Sequence, residues 1–381
     1  MSPPVHGGSP FWSLSPEQAL GLRAALVIAL AAGLTQAVVT GLELGSGPAA
    51  YGVVIASVVV RPDFGRWPLP FFVVLLVVAA FCLALGMLLH LAFLGAPQVF
   101  VFALVAALMQ LLALPLPAKL RPLAGLLPVL GVLPLLSSGP TWQGLGQEWL
   151  GIALGLTIGT LVQLVFTPAQ RPATAAAEPE PPADPPVGAR IQAGLRSPFF
   201  WRRLVMASLA LAIGNGVGAL QPKYLYFGVV LLLDDSIGAT LARVRDRMVG
   251  VSLGILMPVL VFTNLGLEPV ATALVMGGTA ALVVALGLQA YLRTALISSA
   301  VSFVGYGPLV AWYIPNRWLD YLMGCGLALL TGLLLFPQSA LRRYRKLAQD
   351  PQANHQALLQ LEPAAREEAR WLGQGLEPLV R

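Results

Sequence analysis

The sequence predicts an all-α polytopic membrane protein: two parallel six-helix repeats, about twelve transmembrane helices in all, and a short cytoplasmic tail. Three observations carry that prediction. The 381-residue chain is 57% hydrophobic and only 10% charged, with a mean hydropathy of +0.78, where soluble domains carry roughly 25% charge. Apolar runs of about twenty residues, the length that crosses a bilayer, recur along the whole chain. Its 23 lysines and arginines fall very unevenly between alternate loops, as membrane topology requires.

The first half, 1–168, opens its first apolar run (20–41) after Ser15-Pro16, a cap residue followed by proline at the first helical position. Runs at 48–61, 69–93 and 97–114 follow. The fifth, 120–137, holds Pro122, Pro128 and Pro134, and is expected to be kinked and buried among neighbours. The sixth is 147–167. Residues 169–196 read as a cytoplasmic linker, because their centre is almost wholly Ala, Pro, Glu and Asp and cannot bury a core. The second half, 197–337, repeats the opening at Ser197-Pro198 and has runs at 199–219, 223–242, 247–263, 269–288, 291–311 and 317–336. The tail, 338–381, reads as a solvated or interfacial segment with a basic helix over 339–350 and a second over 363–372.

Two alignments relate the halves. Trp149-Leu150 runs through Gly155 to Pro168 as Trp318-Leu319 runs through Gly324 to Pro337, without a gap. Residues 56–65 align with 229–238. An even number of spans per half preserves orientation, so the repeats are parallel. With the N-terminus cytoplasmic, 21 cations lie on inner loops, helix ends and the tail, and only Lys223 and Arg317 lie outside. That asymmetry predicts a multi-pass protein of the inner or plasma membrane with both termini cytoplasmic.

Several chemistries are excluded. No positive n-region precedes a short apolar core, so no cleaved signal peptide is expected. Cys82 and Cys325 lie inside apolar runs and read as packed thiols. The only lysines are Lys119, Lys223 and Lys346, and none completes a phosphate-binding loop. His6, His90 and His355 are too scattered for zinc. Gly250-Val-Ser252-Leu-Gly254 mimics a hydrolase elbow, but no strand precedes it and no histidine is near. Gly214-Asn-Gly216-Val-Gly218 mimics a dinucleotide loop but ends an apolar helix. Gly250 and Gly254 therefore read as helix-packing positions. No enzyme, metal or cofactor is expected.

The stretch 227–254 joins an apolar helix to the turn Gly238-Ala239-Thr240 and then to Arg247-x-x-Gly250-x-x-x-Gly254. It resembles the fusaric acid resistance (FUSC) or aromatic acid exporter family, and is more distantly similar to the plant aluminium-activated malate transporters. Six spans per half also resemble that family. The resemblance implies a membrane carrier or channel for organic anions. The first half departs from the motif, with Trp67-Pro68-Leu69-Pro70 following Gly65. Related exporters often carry large cytoplasmic domains, where this chain has a linker and a tail.

Ionisable residues at bilayer depth are the functional candidates. A helix from Lys223 to Arg243 would rise roughly 30 Å, one hydrocarbon crossing, and would put Asp234 and Asp235 near its middle. Their aligned partners are Arg61 and Pro62, so Arg61 and Asp234 are expected to approach each other. Glu148 likewise aligns with Arg317. Arg243, Arg245 and Arg247 form a basic cluster suited to carboxylates, with Arg243 and Arg247 the chosen substrate candidates. Asn215, Gln36 and Gln110 are uncharged polar residues inside spans, of which Asn215 is a transport candidate. Each has a plainer reading as topology charge, cap or interhelical hydrogen bond.

These candidates suit a secondary transporter exporting organic, aromatic carboxylates with proton coupling, a carboxylate near midplane carrying the proton. The alternatives are a passive anion channel and a non-transporting scaffold. The expected partners are a small organic anion and the bilayer, with self-association open and nucleic acid excluded.

Overall fold

A computed structural model describes residues 16–65, 68–117, 120–136, 141–167, 185–219, 221–306, 310–335, 337–349 and 355–376. The Ser15 cap and the Ala/Pro/acidic centre of the linker lie outside them. The protein is all-helical, with no strand among the described residues. The first half contributes α1 (Pro16–Gly41), α2 (Ser46–Val59), α3 (Leu69–Ala92), α4 (Gln98–Ala113), α5 (Arg121–Ala124), α6 (Leu127–Val132) and α7 (Trp142–Phe166). A 3-10 turn, Leu133–Leu136, extends α6, so the proline-rich fifth run is broken into short pieces. Then come α8 (Val187–Arg196), α9 (Pro198–Gly216), α10 (Lys223–Leu232), α11 (Ile237–Gly254), α12 (Leu256–Leu265), α13 (Pro269–Ala285), α14 (Leu292–Phe303) and α15 (Val310–Leu334). The tail forms α16 (Ala340–Ala348) and α17 (His355–Trp371).

Among the described residues, three helices are long and apolar enough to cross a membrane: Gln18–Gly41, Leu69–Ala92 and Trp142–Phe166. Their faces are arranged as lipid exposure demands. On α1, Leu26, Leu30, Leu34 and Val38 point outward while Ala24, Ala31 and Ala32 are buried. On α3 the outward stripe is Leu69, Val73, Val77 and Phe81. The buried faces mix small residues with larger ones: Val27, Ile28 and Val39 on α1, and Leu75, Leu83 and Met87 beside Ala79 and Cys82 on α3. Small residues let neighbouring helices approach closely, which is what drives packing where burial of apolar surface gives no advantage over lipid.

The helices gather into two compact units, and each unit draws on both halves of the chain. The first comprises Met1–Arg66, Leu154–Gln170 and Leu253–Pro308. In it α1 packs along α13 and against α2, α13 packs on α14, and α2 on α14. A side chain on Gly277 would meet Ala29 Cβ at 2.6 Å, and one on Gly33 would meet Ala273 Cβ at 2.9 Å. The end of α7 crosses α2 so closely that a Cβ on Gly155 would sit 2.1 Å from Gly52 O. The second unit comprises Trp67–Ala153, Arg171–Ser252 and Leu309–Arg381. There α9 packs on α4 and α10, α4 on α6, and α10 on α15, where a Cβ on Gly228 would lie 2.6 Å from Gly324.

Three expected boundaries move. The run 223–242 is not one helix: α10 stops at Leu232, the chain breaks over 233–236, and α11 carries on through what had read as a loop. Ten residues rise only about 15 Å, so Asp234 and Asp235 lie in a helix break and Arg243, Arg245 and Arg247 lie on α11. The last third of the linker is the helix α8. In the tail, Pro363 does not start a helix but lies inside α17, which begins eight residues earlier.

Candidate functional site

Charge collects around the α10–α11 break of the second unit. Hydrophobic α10 ends on Leu233 in an extended conformation (φ −63°, ψ 128°), which turns the next residues off the helix axis. Ser236 then caps α11, its Oγ accepting from Ala239 N at 3.2 Å. Thr240 Oγ1 accepts from Asp234 N at 3.0 Å and donates to Ser236 O, closing the turn from below. Asp234 Oδ1 accepts from Asp235 N at 2.8 Å. The backbone N–H groups of Asp234, Asp235 and Ala239 thus each meet a short polar side chain encoded within six residues.

The carboxylates are paired locally. Asp234 Oδ2 lies 2.7 Å from Arg243 Nη2, and Asp235 Oδ2 lies 3.3 Å from Arg343 Nη1 of α16. The Asp235 carbonyl accepts at 2.9 Å from Nη2 of Arg202, a residue only 1% exposed. Arg245 places Nε and Nη2 on Asp246 and Nη1 on Glu367 of α17. Arg247 donates to Tyr321 Oη at 3.0 Å and lies over its ring, while Tyr321 stacks on Tyr224 with centroids 4.7 Å apart.

The tail belongs to this site. Ala340, Leu341 and Tyr344 of α16 bury against Leu358, Ala365 and Ala369 of α17. Ser339 caps α16, and Glu368 accepts from Ser339 Oγ at 2.6 Å and Leu341 N at 3.2 Å. The hairpin then docks at the start of α11. Gln338 O accepts from Ile237 N at 2.9 Å, and a Cβ on Gly238 would stand 2.0 Å from Ala364 O. Apolar burial and ion pairs hold these helices against α11, while Arg342, Arg343, Arg345 and Lys346 on the other face of α16 stay exposed.

Other candidates lie elsewhere. Arg61 is in the first unit, just past α2, and makes a two-toothed contact with Asp63 through Nε (2.9 Å) and Nη2 (2.7 Å). Its backbone N donates to Gln163 Oε1 at 2.9 Å, and Gln163 Nε2 donates to Gly65 O at 2.8 Å. Within its own unit each of these charges has an opposite partner a few residues along the chain, Arg61 with Asp63 and Asp234 with Arg243. Asn215 is exposed at the end of α9, its carbonyl accepting from Gly218 N at 3.2 Å. Gly250 is buried within α11, and a Cβ on Gly254 would meet Ala295 O of α14 at 2.3 Å.

Sequence reasoning gives no transport role to Arg202, Arg203, Asp320 or Glu148. Two consecutive arginines inside the apolar stretch 199–219 are the signal for the first two. Asp320 is 1% exposed on α15, two residues beyond the repeated tryptophan. Glu148 buries Oε2 without a hydrogen bond, beside Trp149, whose Nε1 donates to Leu76 O at 3.0 Å. Comparison with protein-family models, with curated proteins and with solved structures finds no match.

Proposed function

We propose that this chain is a secondary transporter that moves small organic carboxylates, aromatic ones among them, out across the inner or plasma membrane with proton coupling. The observation that carries the reading is the broken helix α10–α11. Non-helical backbone is tolerated at membrane depth only where protein or a water-filled cavity surrounds it. Here the break is surrounded by arginines from α9, α11 and α16 in an otherwise apolar helical body. Broken helices of this kind coordinate substrates and ions in transporters.

The proposed architecture is twelve spans in two parallel repeats with cytoplasmic termini, on the pattern of the fusaric acid resistance family. Support comes from matching helix ends. In the 56–65 to 229–238 register, α2 and α10 stop at aligned residues, Val59 and Leu232, and both caps are extended, Val60 with ψ 114° and Leu233 with ψ 128°. The packings correspond too: α1 on α13 matches α9 on α4, α1 on α2 matches α9 on α10, and α13 on α14 matches α4 on α6. Each unit then combines the first two helices of one repeat with middle helices of the other.

The scaffold reading has one observation in its favour, the pairing of Asp234 with Arg243 and Asp235 with Arg343, which could serve as locks alone. Uptake of radiolabelled benzoate into proteoliposomes separates the readings. Accumulation that requires an imposed pH gradient is expected. Flux that follows only the benzoate gradient would make the protein a channel, and no flux above protein-free liposomes would make it a scaffold.

A further inference from the structure

Arg203 is the one arginine of the cluster whose fork has no acceptor. It sits on α9, one residue past Arg202, with its guanidinium 6.0 Å from the Phe199 ring centroid. Its helix is fastened to α4 by Gln110, which donates to both Ala106 O and Arg203 O at 3.4 Å. Nε and Nη2 of Arg203 are both sealed from solvent, and neither makes a hydrogen bond. Groups of opposite or polar character stand within electrostatic reach, but they are engaged elsewhere. Asp234 is held by Arg243 at 2.7 Å, and the Tyr226 hydroxyl donates to Pro128 O at 2.6 Å.

The free edge has a definite meaning. Nε and Nη2 form the side of a guanidinium that grips both oxygens of one carboxylate, and Arg61 uses that same edge on Asp63 in this protein. A guanidinium cannot lose its proton to escape burial, and a buried charge without a partner is strongly disfavoured. Gln110 adds to the case: donation to two carbonyls orients its amide, leaving Oε1 buried and unbonded beside the same α4–α9 contact. The Phe199 ring lies beside the guanidinium, and Tyr226, within its electrostatic reach, meets Phe102 edge to face at 4.8 Å.

We infer that Arg203 is the carboxylate-binding residue of this protein, taking both oxygens of a carboxylate anion through Nε and Nη2, with the body of the ligand among the neighbouring rings. This rests on the transport reading and adds the residue that holds the anion, which Arg243, Arg245 and Arg247 do not do because each is already engaged by the protein.

The test is a binding measurement on the full chain purified in detergent, titrating benzoate by calorimetry, with inorganic phosphate in a parallel arm. Arg203→Gln is expected to weaken benzoate binding about ten- to a hundred-fold, the worth of one charge-assisted pair. Arg203→Lys should recover little of it, since an ammonium keeps the charge but not the fork. Arg366→Gln, in an exposed pair with Glu362 on α17, should change nothing. Phosphate binding as tightly as benzoate, and equally sensitive to Arg203→Gln, would overturn the assignment to carboxylates. Arg203→Met guards against misfolding: the ligand-free variant should melt no lower than wild type, and the benzoate-induced rise in melting temperature should vanish. A lower ligand-free melting temperature with the benzoate rise intact would make Arg203 structural. Binding without flux would retain this site and remove the transporter, whereas flux untouched by Arg203→Gln would do the reverse.

Discussion

Both units pack helices closely through small residues, and the second adds a cluster of paired charge. Along α1 and α13, Gly33 meets Ala273 and Gly277 meets Ala29, so the backbones approach without burying a charged side chain among the described residues. The corresponding contact in the second unit, α9 on α4, contains Arg203 and Gln110 instead. The helix breaks differ in the same way. After α2, a single glutamine, Gln163, spans the gap by binding Arg61 N and Gly65 O. After α10, the break is held by Thr240, Arg202, Arg243 and the docked tail. A packing that glycines alone can satisfy leaves no reason to bury arginine. The arginines of the second unit therefore mark the region whose residues are set by something other than packing.

The largest expected effects come from the two close crossings. A Cβ at Gly155 would lie 2.1 Å from Gly52 O, and one at Gly324 would lie 2.6 Å from Tyr224 O. Backbone cannot yield as a side chain can, so Gly155→Leu and Gly324→Leu should each abolish monodisperse protein on size exclusion. Near-normal recovery of either variant would show that its crossing is dispensable, and the two units would then differ in more than their charges.

Intermediate effects should separate the two ways of closing a break. Gln163→Leu leaves Arg61 N and Gly65 O without their partner, a cost of about 1–3 kcal/mol, and should lower the melting temperature of the whole protein. Gly238→Val acts on the docked tail, since its Cβ would stand 2.0 Å from Ala364 O. It should expose the chain after residue 338 to limited proteolysis while the remaining helices stay resistant. Global unfolding by Gly238→Val would mean that the tail is part of the second unit's core and not an attachment to it.

The smallest effect concerns Asp63. Partial burial pushes its carboxyl up, but hydrogen bonds from Arg61 and Gly65 N and the Arg61 charge outweigh this and hold it below the ordinary value of 3.8. A lowered native pKa contributes stability above the unfolded value, and that contribution is lost as pH falls through the native one. Both side chains are well exposed, at 39% and 59%, so Asp63→Asn should cost under about 1 kcal/mol at neutral pH. Thermal melts at pH 7 and pH 3 should differ less for Asp63→Asn than for wild type. An equal difference would mean that the pair contributes nothing to the first unit.

Much of the helical layout is legible in the residues. Apolar run length located α1, α3, α4, α7 and α13 to within a few residues, because crossing a bilayer imposes one length on any helix that does so. Proline density foretold the broken fifth run, since each proline removes a backbone donor. The α10–α11 break was less legible: 224–242 is apolar apart from Asp234, Asp235, Ser236 and Thr240, and hydropathy alone reads such a run as continuous. Only the Asp-Asp-Ser sequence, whose short side chains compete for backbone hydrogen bonds, carried the signal.

The sequence by itself determined that this is a helical chain with helices long and apolar enough to cross a membrane, because hydropathy acts locally and additively along it. Which carboxylate meets which guanidinium was decided by the tertiary structure. Within their own units, the fold pairs Arg61 with Asp63 and Asp234 with Arg243. Spacing along the chain puts these partners within reach, but only the turn after α2 and the break after α10 bring them to 2.7 Å. By the same reasoning, the role of Arg203 depends on what is absent around one edge of its side chain, which no pattern of residues along the chain can express.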